Sequence, residues 1–225
     1  MNHYPVTIVE NFYKDPFAVR EFALKQKYKT CDQIKNIDHV FPGSRTEDLS
    51  VINPELNKSF FFKSTALFHN YDYDEVRMRM TSNFQWCPKK FFKGDIHRDV
   101  SAVFAGLVYL NPDPGVNSGT TLYKKNNKYD EEKFTKLCEK NDVLFKTGNF
   151  DKLDYSYHEM FDKFVTLENN FNTLIMYEAD IFHSANDFFG KTLEDSRLTQ
   201  VFFIHQIDAK KPDSFPIDRS NFVNI

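Results

Sequence analysis

Hydrophobic positions along the chain switch between helical and strand spacing, and the switches divide it into elements. Val6 to Val9 is a short β-branched run that predicts a strand. Asp15-Pro16 sets a capping carboxylate before a proline at the first helical position. Val19, Phe22, Ala23 and Gln26 then share a face, so a helix is expected from Phe17 to about Lys27. Residues 29–50 are polar and broken by Phe41-Pro42-Gly43-Ser44-Arg45, a turn that presents Arg45. Asn53-Pro54 opens a second helix through Phe60 and Phe61 towards Leu67. From Val76 the period becomes two. Val76, Met78, Met80, Ser82, Phe84 and Trp86 take one face, while Arg77, Arg79 and Thr81 take the other. That pattern is a half-buried strand ending at Cys87-Pro88.

Ile96 to Leu110 reads as a continuous strand, followed by a Pro/Gly turn and a further strand at Thr120–Tyr123. Residues 124–160 are polar and rich in Lys and Asp, with a short amphipathic helix expected from Asp130 to Lys140. An insertion of this size between strands is either a lid or a surface elaboration. As a lid it would border the site together with the Phe41–Arg45 turn, and removing about residues 126–158 would spare cofactor binding. Phe164–Glu168, Asn169-Asn170 and Phe171–Ala179 predict strand, turn, strand, the second ending in Ile181–Ala185. Arg197 to His205 is another strand, and the tail from Lys210 has no period. No internal repeat is present. Short strands after two helices predict a mainly β, α+β fold: a double-stranded β-helix (jelly roll) backed by N-terminal helices. One domain over 1–225 is expected. Helical support occupies 1–75, the core about 76–208 with insertion 124–160, and a C-terminal tail 209–225.

Composition narrows the class. At 225 residues, 41% hydrophobic and 27% charged, the chain can bury a sizeable core, and 25 Phe make that core aromatic. Net charge is −3 with dispersed Lys and Arg, so no basic face suggests nucleic acid. Cys31, Cys87 and Cys138 are odd in number and lack zinc spacing, which argues for a reducing compartment. The N-terminus lacks signal-peptide features and nothing approaches a membrane span, so a soluble cytoplasmic protein is expected.

The candidate chemistry lies at the mouth of the central apolar run. His97 and Asp99 are two apart, and on an extended backbone residues i and i+2 project from one face. An imidazole and a carboxylate sharing one space are two-thirds of a facial iron site. With 7 His in the chain, chance supplies roughly 0.6 His-x-Asp matches, so context must carry the argument. His183 ends an apolar strand, where a third ligand at a barrel rim belongs. Gly190 lies midway between His183 and Arg197. A symmetrical hairpin there would make the two near-opposite, their Cβ atoms ~5 Å apart. An Arg beside a metal suits the far carboxylate of a diacid, because its planar fork matches a carboxylate. Thr199 shares the face of Arg197, and Tyr109 shares the parity of His97 and Asp99. His3, His39, His69, His158 and His205 lack a carboxylate at i+2 and are assigned nothing. Arg45 is a substrate-side candidate.

His97-Arg98-Asp99, Tyr109-Leu110-Asn111, Ser118 to Leu122, His183-Ser184-Ala185 and Arg197-Leu198-Thr199 stand in the order of a known family. The chain resembles the 2-oxoglutarate/Fe(II) dioxygenases of the prolyl-hydroxylase type across residues 95–205. More narrowly, the Phe41–Arg45 turn and the Arg197–Ile204 strand resemble an uncharacterised set of bacterial and phage oxygenases. The resemblance implies that His97, Asp99 and His183 hold Fe(II), and that Arg197 pairs with the distal carboxylate of 2-oxoglutarate. Thr199 and Tyr109 would support it, and O₂ would be co-substrate. The family has two glycines where this chain has Ser118-Gly119. The implied function is an oxygenase, most simply a hydroxylase, acting on a protein side chain, nucleotide, lipid or small metabolite. Two other readings are a non-catalytic jelly-roll binding module, and a cupin-type metal enzyme with no use for Arg197.

Overall fold

A computed structural model describes residues 6–34, 40–67 and 76–209. In chain order its main elements are β1 (Thr7–Val9), α1 (Pro16–Leu24), β2 (Lys29–Thr30), β3 (Ser44–Arg45), α2 (Leu49–Ile52), α3 (Pro54–Ala66), β4 (Val76–Cys87), β5 (Phe104–Tyr109), β6 (Thr120–Lys125), α4 (Glu131–Lys146), β7 (Phe161–Leu167), β8 (Leu174–Glu178), β9 (Phe182–Ala185) and β10 (Arg197–Ala209). Seven strands form a major sheet in the order β1-β8-β5-β10-β4-β3-β2, and three form a minor sheet in the order β7-β6-β9. All pairings are antiparallel. This is the expected jelly roll.

Both anticipated helix starts are capped as their sequences dictate. The Asp15 carboxylate accepts from Ala18 N at 3.0 Å, and the Asn53 side chain from Leu56 N at 3.1 Å. α1 stops at Leu24, short of Lys27, because side chains take over its last carbonyls. Gln26 Nε2 donates to Phe22 O and the Tyr28 hydroxyl to Ala23 O.

Strand parity then sorts the core. Leu198, Phe202 and Ile204 of β10 join Phe84, Phe104, Val108, Leu174 and Met176 on one face of the major sheet. Val19, Ala23, Leu49 and Phe60 from the three N-terminal helices cover that face. Each fully buried Leu or Phe there contributes about 1.5–3 kcal/mol. The other face carries Leu107, Tyr109, Ile175, Tyr177 and Val201 and meets Leu122 and Leu167 of the minor sheet. The mouth between the sheets is where the candidate residues gather.

Several readings of the pattern are corrected. The run from Ile96 to Leu110 is not one strand, since Ala102 N bonds Asp99 O in a turn and β5 starts only at Phe104. The strand expected to end at Ala185 breaks where Ile181 N bonds Glu178 O, and its halves, β8 and β9, lie in different sheets. Likewise β7 and β8 are no hairpin, and neither are β9 and β10. Leu122 and His97 flank His183, whereas Cys87 flanks Arg197. In a jelly roll, successive strands cross between sheets, and period-two alternation does not record which sheet a strand joins. α4 also runs past Lys140, because Asn141 and Phe145 are buried on its inner side. The tail from Lys210 lies outside the described residues.

Candidate metal centre

The stretch carrying His97 adds to the free edge of β9. His97 N donates to His183 O at 3.0 Å and His183 N to His97 O at 2.9 Å, while Asp99 N donates to Ala179 O at 2.8 Å. His97 forms an isolated antiparallel bridge with His183, and the side chains of His97 and Asp99 do meet on one side. The two imidazole centroids are 4.4 Å apart. Asp99 Oδ1 lies 3.5 Å from His97 Nε2, and Asp99 Oδ2 lies 3.2 Å from His183 Nε2. One donor atom from each residue falls within 4.8 Å of the others. Two donors at right angles around an ion about 2.1 Å from each would be about 3 Å apart, so the cluster is close to ligating geometry.

Second contacts fix the rings. His97 Nδ1 is 2.9 Å from Asp95 O, and His183 Nδ1 is 2.8 Å from Ile181 O. A carbonyl only accepts, so Nδ1 carries the proton of each neutral ring and Nε2 offers its lone pair to the shared point. Burial alone would raise Asp99. Where Nε2 of both rings is protonated as well and donates to it, the charge of His183 and hydrogen bonds from both imidazoles prevail, and hold it well below the usual carboxylate range. Burial likewise works against protonating His97, yet its bond to Asp99 pushes it up to about 9. Nearly half of the His97 side chain, 47%, opens onto the cavity, against 6% for His183. A divalent ion fits this donor set: two borderline nitrogens and one hard, ionised oxygen, all on one side.

The insertion supports His97 from behind. The Asp95 carboxylate accepts from Tyr157 Oη at 2.6 Å and from Asn141 Nδ2 of α4 at 3.2 Å. Burial pushes Asp95 upward, and the Tyr157 bond opposes that. α4 also reaches the cavity wall with Phe134, Cys138 and Asp142.

Arg197 enters from the opposite sheet and is 2% exposed. Its Nε donates to Ser118 O at 3.1 Å and its Nη2 to Thr120 Oγ1 at 3.5 Å. Among the described residues no carboxylate forms an ion pair with it. Ser118 in place of a glycine leaves this contact intact, because it is the backbone carbonyl that accepts. Gly119 is required as it stands, since a Cβ there would lie 2.0 Å from Leu167 O. Tyr109 is fully buried, and its hydroxyl donates to Thr120 Oγ1 at 2.8 Å. Thr199 Oγ1 is buried without a hydrogen-bond partner. Register places Arg45, Gln85, Thr199 and Tyr109 in one row across β3, β4, β10 and β5. A cavity of about 730 Å³ holds His97, Asp99 and His183 on one wall, with Arg197, Thr120 and Arg45 on the others.

Sequence reasoning assigned no part to Thr120, Asp95 or Tyr177, whose ring lies 4.7 Å from His183. Thr120 shares parity with Leu122, which could have placed it, but Asp95 acts through partners 46 and 62 positions away. His205 bonds Thr81 Oγ1 and Ser101 O, and His158 lies beside Tyr155 and Tyr157. His3, His39 and His69 lie outside the described residues.

The fold is a double-stranded β-helix carrying a candidate His/Asp/His metal cluster, and solved structures that bind iron or 2-oxoglutarate share that fold. HygX from Streptomyces hygroscopicus with iron bound superposes at a TM-score of 0.52 and 12% identity, covering 93% of this chain and 88% of that one. HygX with nickel and 2-oxoglutarate bound gives 0.50 at 11% identity, over 91% and 83%. SnoN, a non-heme alpha ketoglutarate dependent epimerase from nogalamycin biosynthesis, gives 0.51 at 12%, over 92% and 81%. At such identities the likeness is one of fold. The chain belongs to DUF6445, a family of unknown function whose model matches residues 1–204. No curated protein matches it. Among the described residues no helix is long and apolar enough to cross a membrane.

Proposed function

We propose that the protein is an Fe(II)- and 2-oxoglutarate-dependent oxygenase, most simply a hydroxylase, with His97, Asp99 and His183 as metal ligands. The observation that carries this reading is a buried Arg197, without a carboxylate partner among the described residues, facing the same cavity as the His/Asp/His cluster. An uncompensated buried guanidinium is costly, and a ligand carboxylate supplies its missing partner. Arg197 would grip the distal carboxylate of 2-oxoglutarate, with Thr120 beside it and the unpartnered Thr199 hydroxyl nearby. Tyr109 would act through Thr120, holding that hydroxyl in place. When bound, Fe(II) and 2-oxoglutarate would activate O₂ as the oxidant, one oxygen atom entering succinate as CO₂ is lost from the keto acid and the other serving to oxidise a second substrate. The chain's own share is to hold the ligand set on one side and to leave the other side open to the cavity.

Removing a charge-assisted bidentate contact from such a site costs on the order of 2–4 kcal/mol, roughly 30- to 1000-fold in affinity. Arg197→Ala should therefore keep Mn(II) and lose 2-oxoglutarate, and Arg197→Lys should fall between. Calorimetric titration of 2-oxoglutarate into the anaerobic Mn(II) form decides it. Wild-type affinity in Arg197→Ala would reject the role and favour a cupin-type metal enzyme.

A further inference from the structure

We propose that Arg45 forms a second anion-recognising position in the cavity, so that the substrate oxidised beside the metal centre carries a carboxylate or a phosphate. The inference rests on the proposed function and adds a substrate class to it. The chain builds this position deliberately. Gly43 turns with φ +77°, and a Cβ there would lie 2.1 Å from Trp86 O, so only glycine brings β3 this close to β4. β3 then pairs Arg45 with Gln85, whose parity faces the cavity. The guanidinium carbon lies 4.2 Å from the Phe41 ring centroid and 5.4 Å from that of Phe203. Its Nη2 reaches Gln85 Oε1 at 3.4 Å.

What this packing leaves undone points to a ligand. Arg45 Nε is buried with no hydrogen-bond partner. No carboxylate of the described residues forms an ion pair with the guanidinium. Burial draws its affinity for a proton down, while the charge of Asp99 acts the other way. The Phe41 and Phe203 rings pack near the guanidinium, which lines the cavity wall, and neither offers it an acceptor. A planar fork lacking a carboxylate partner in a partly apolar cavity matches two oxyanion oxygens. Arg197, already bonded to Ser118 and Thr120, is committed in the proposed function to the distal carboxylate of 2-oxoglutarate, so a second anion bound at the same time needs another cation. A purely structural Arg45 would bind no anion in preference to a neutral isostere.

The test uses the full chain loaded with Mn(II) and saturated with 2-oxoglutarate under anaerobic conditions. Phenylacetate, phenyl phosphate and phenylacetamide are titrated, and Mn(II)-induced relaxation of their protons is read. One of the two anions should bind about tenfold or more tightly than the amide, and which one does so separates carboxylate from phosphate. Arg45→Gln should abolish the preference yet keep 2-oxoglutarate affinity within about threefold. Arg45→Lys retains the charge and should fall between, which separates lost recognition from lost folding. No relaxation of either anion, equal binding of all three probes, or an unchanged preference in Arg45→Gln overturns the proposal. Loss of 2-oxoglutarate binding in Arg45→Gln also overturns it, by making Arg45 a co-substrate contact. Should wild-type protein fail to bind 2-oxoglutarate, the proposed function falls, and the same probes with Mn(II) alone still decide the role of Arg45.

Discussion

At the scale of single residues, His97 depends on a carboxylate it does not touch through its ring. Asp95 lends its backbone oxygen to His97 Nδ1, while its side chain is tied to Tyr157 and Asn141. Tyr157→Phe leaves Asp95 with Asn141 alone and should weaken Mn(II) by about tenfold, the usual cost of losing an outer-shell contact. Binding of 2-oxoglutarate at saturating metal should not change, and an unaltered Mn(II) affinity would refute the linkage. A second residue sets a pH response. Burial, with Lys93 nearby, lowers His158 to about 3, and its Nε2 has no hydrogen-bond partner. The unfolded chain, with an ordinary His near 6.5, takes up a proton that the folded chain refuses. Stability is thus complete above about pH 6.5 and declines as pH falls, by up to ~1.4 kcal/mol per unit. His158→Gln should flatten melting curves compared between pH 7 and 5, and a parallel decline in the variant would remove His158 from the account. Legibility divides along the same line. His97 and Asp99 could be paired because two-residue spacing is local, whereas the hairpin used to set Arg197 opposite His183 is absent and only the order of motifs pointed to those two. Asp95 could not be read, because its meaning lies in partners on another element.

Among elements, the insertion is the one whose reading changes most. Phe134, Cys138, Asn141 and Asp142 of α4 do border the cavity, as a lid would, but Asn141 and, beyond the helix, Tyr157 also hold Asp95. Deleting about residues 126–158 removes both Asn141 and Tyr157. It should lower Mn(II) affinity in addition to any effect on the oxidised substrate, rather than spare the cofactor site. Mn(II) titration of the deletion variant checks this, and wild-type affinity would return the segment to a lid alone. A smaller change probes the minor sheet. Gly119→Ala sets a methyl against the Leu167 carbonyl where β6 meets β7. Strain of this kind typically costs 1–3 kcal/mol, measurable as a lower urea midpoint. Periodicity and caps made α1, α3, β4 and β6 readable, but they ran 96–110 and 171–185 together as continuous strands. The assignment of strands to sheets was not readable, since each sheet is made by pairing across long stretches of chain.

For the whole molecule, the candidate metal cluster joins the segment before β5 to β9, two parts far apart in sequence. A divalent ion at 100 times its dissociation constant should therefore stabilise the fold by about 2.7 kcal/mol, roughly 5–10 °C in melting temperature for a domain of this size. Differential scanning calorimetry with Mn(II), against Asp99→Ala, tests this; equal shifts in both would mean that the ion acts elsewhere. The position of β10 has a different consequence. It is the last strand described, yet it lies in the middle of the major sheet, between β5 and β4. During synthesis the chain emerges at about 5–20 residues per second, so the strands on either side exist before the one that joins them. Until β10 inserts, β5 and β4 each present an open edge, the kind that recruits foreign strands. The strand that closes this gap also delivers Arg197, so the buried guanidinium facing the cavity arrives with the same event that covers both open edges.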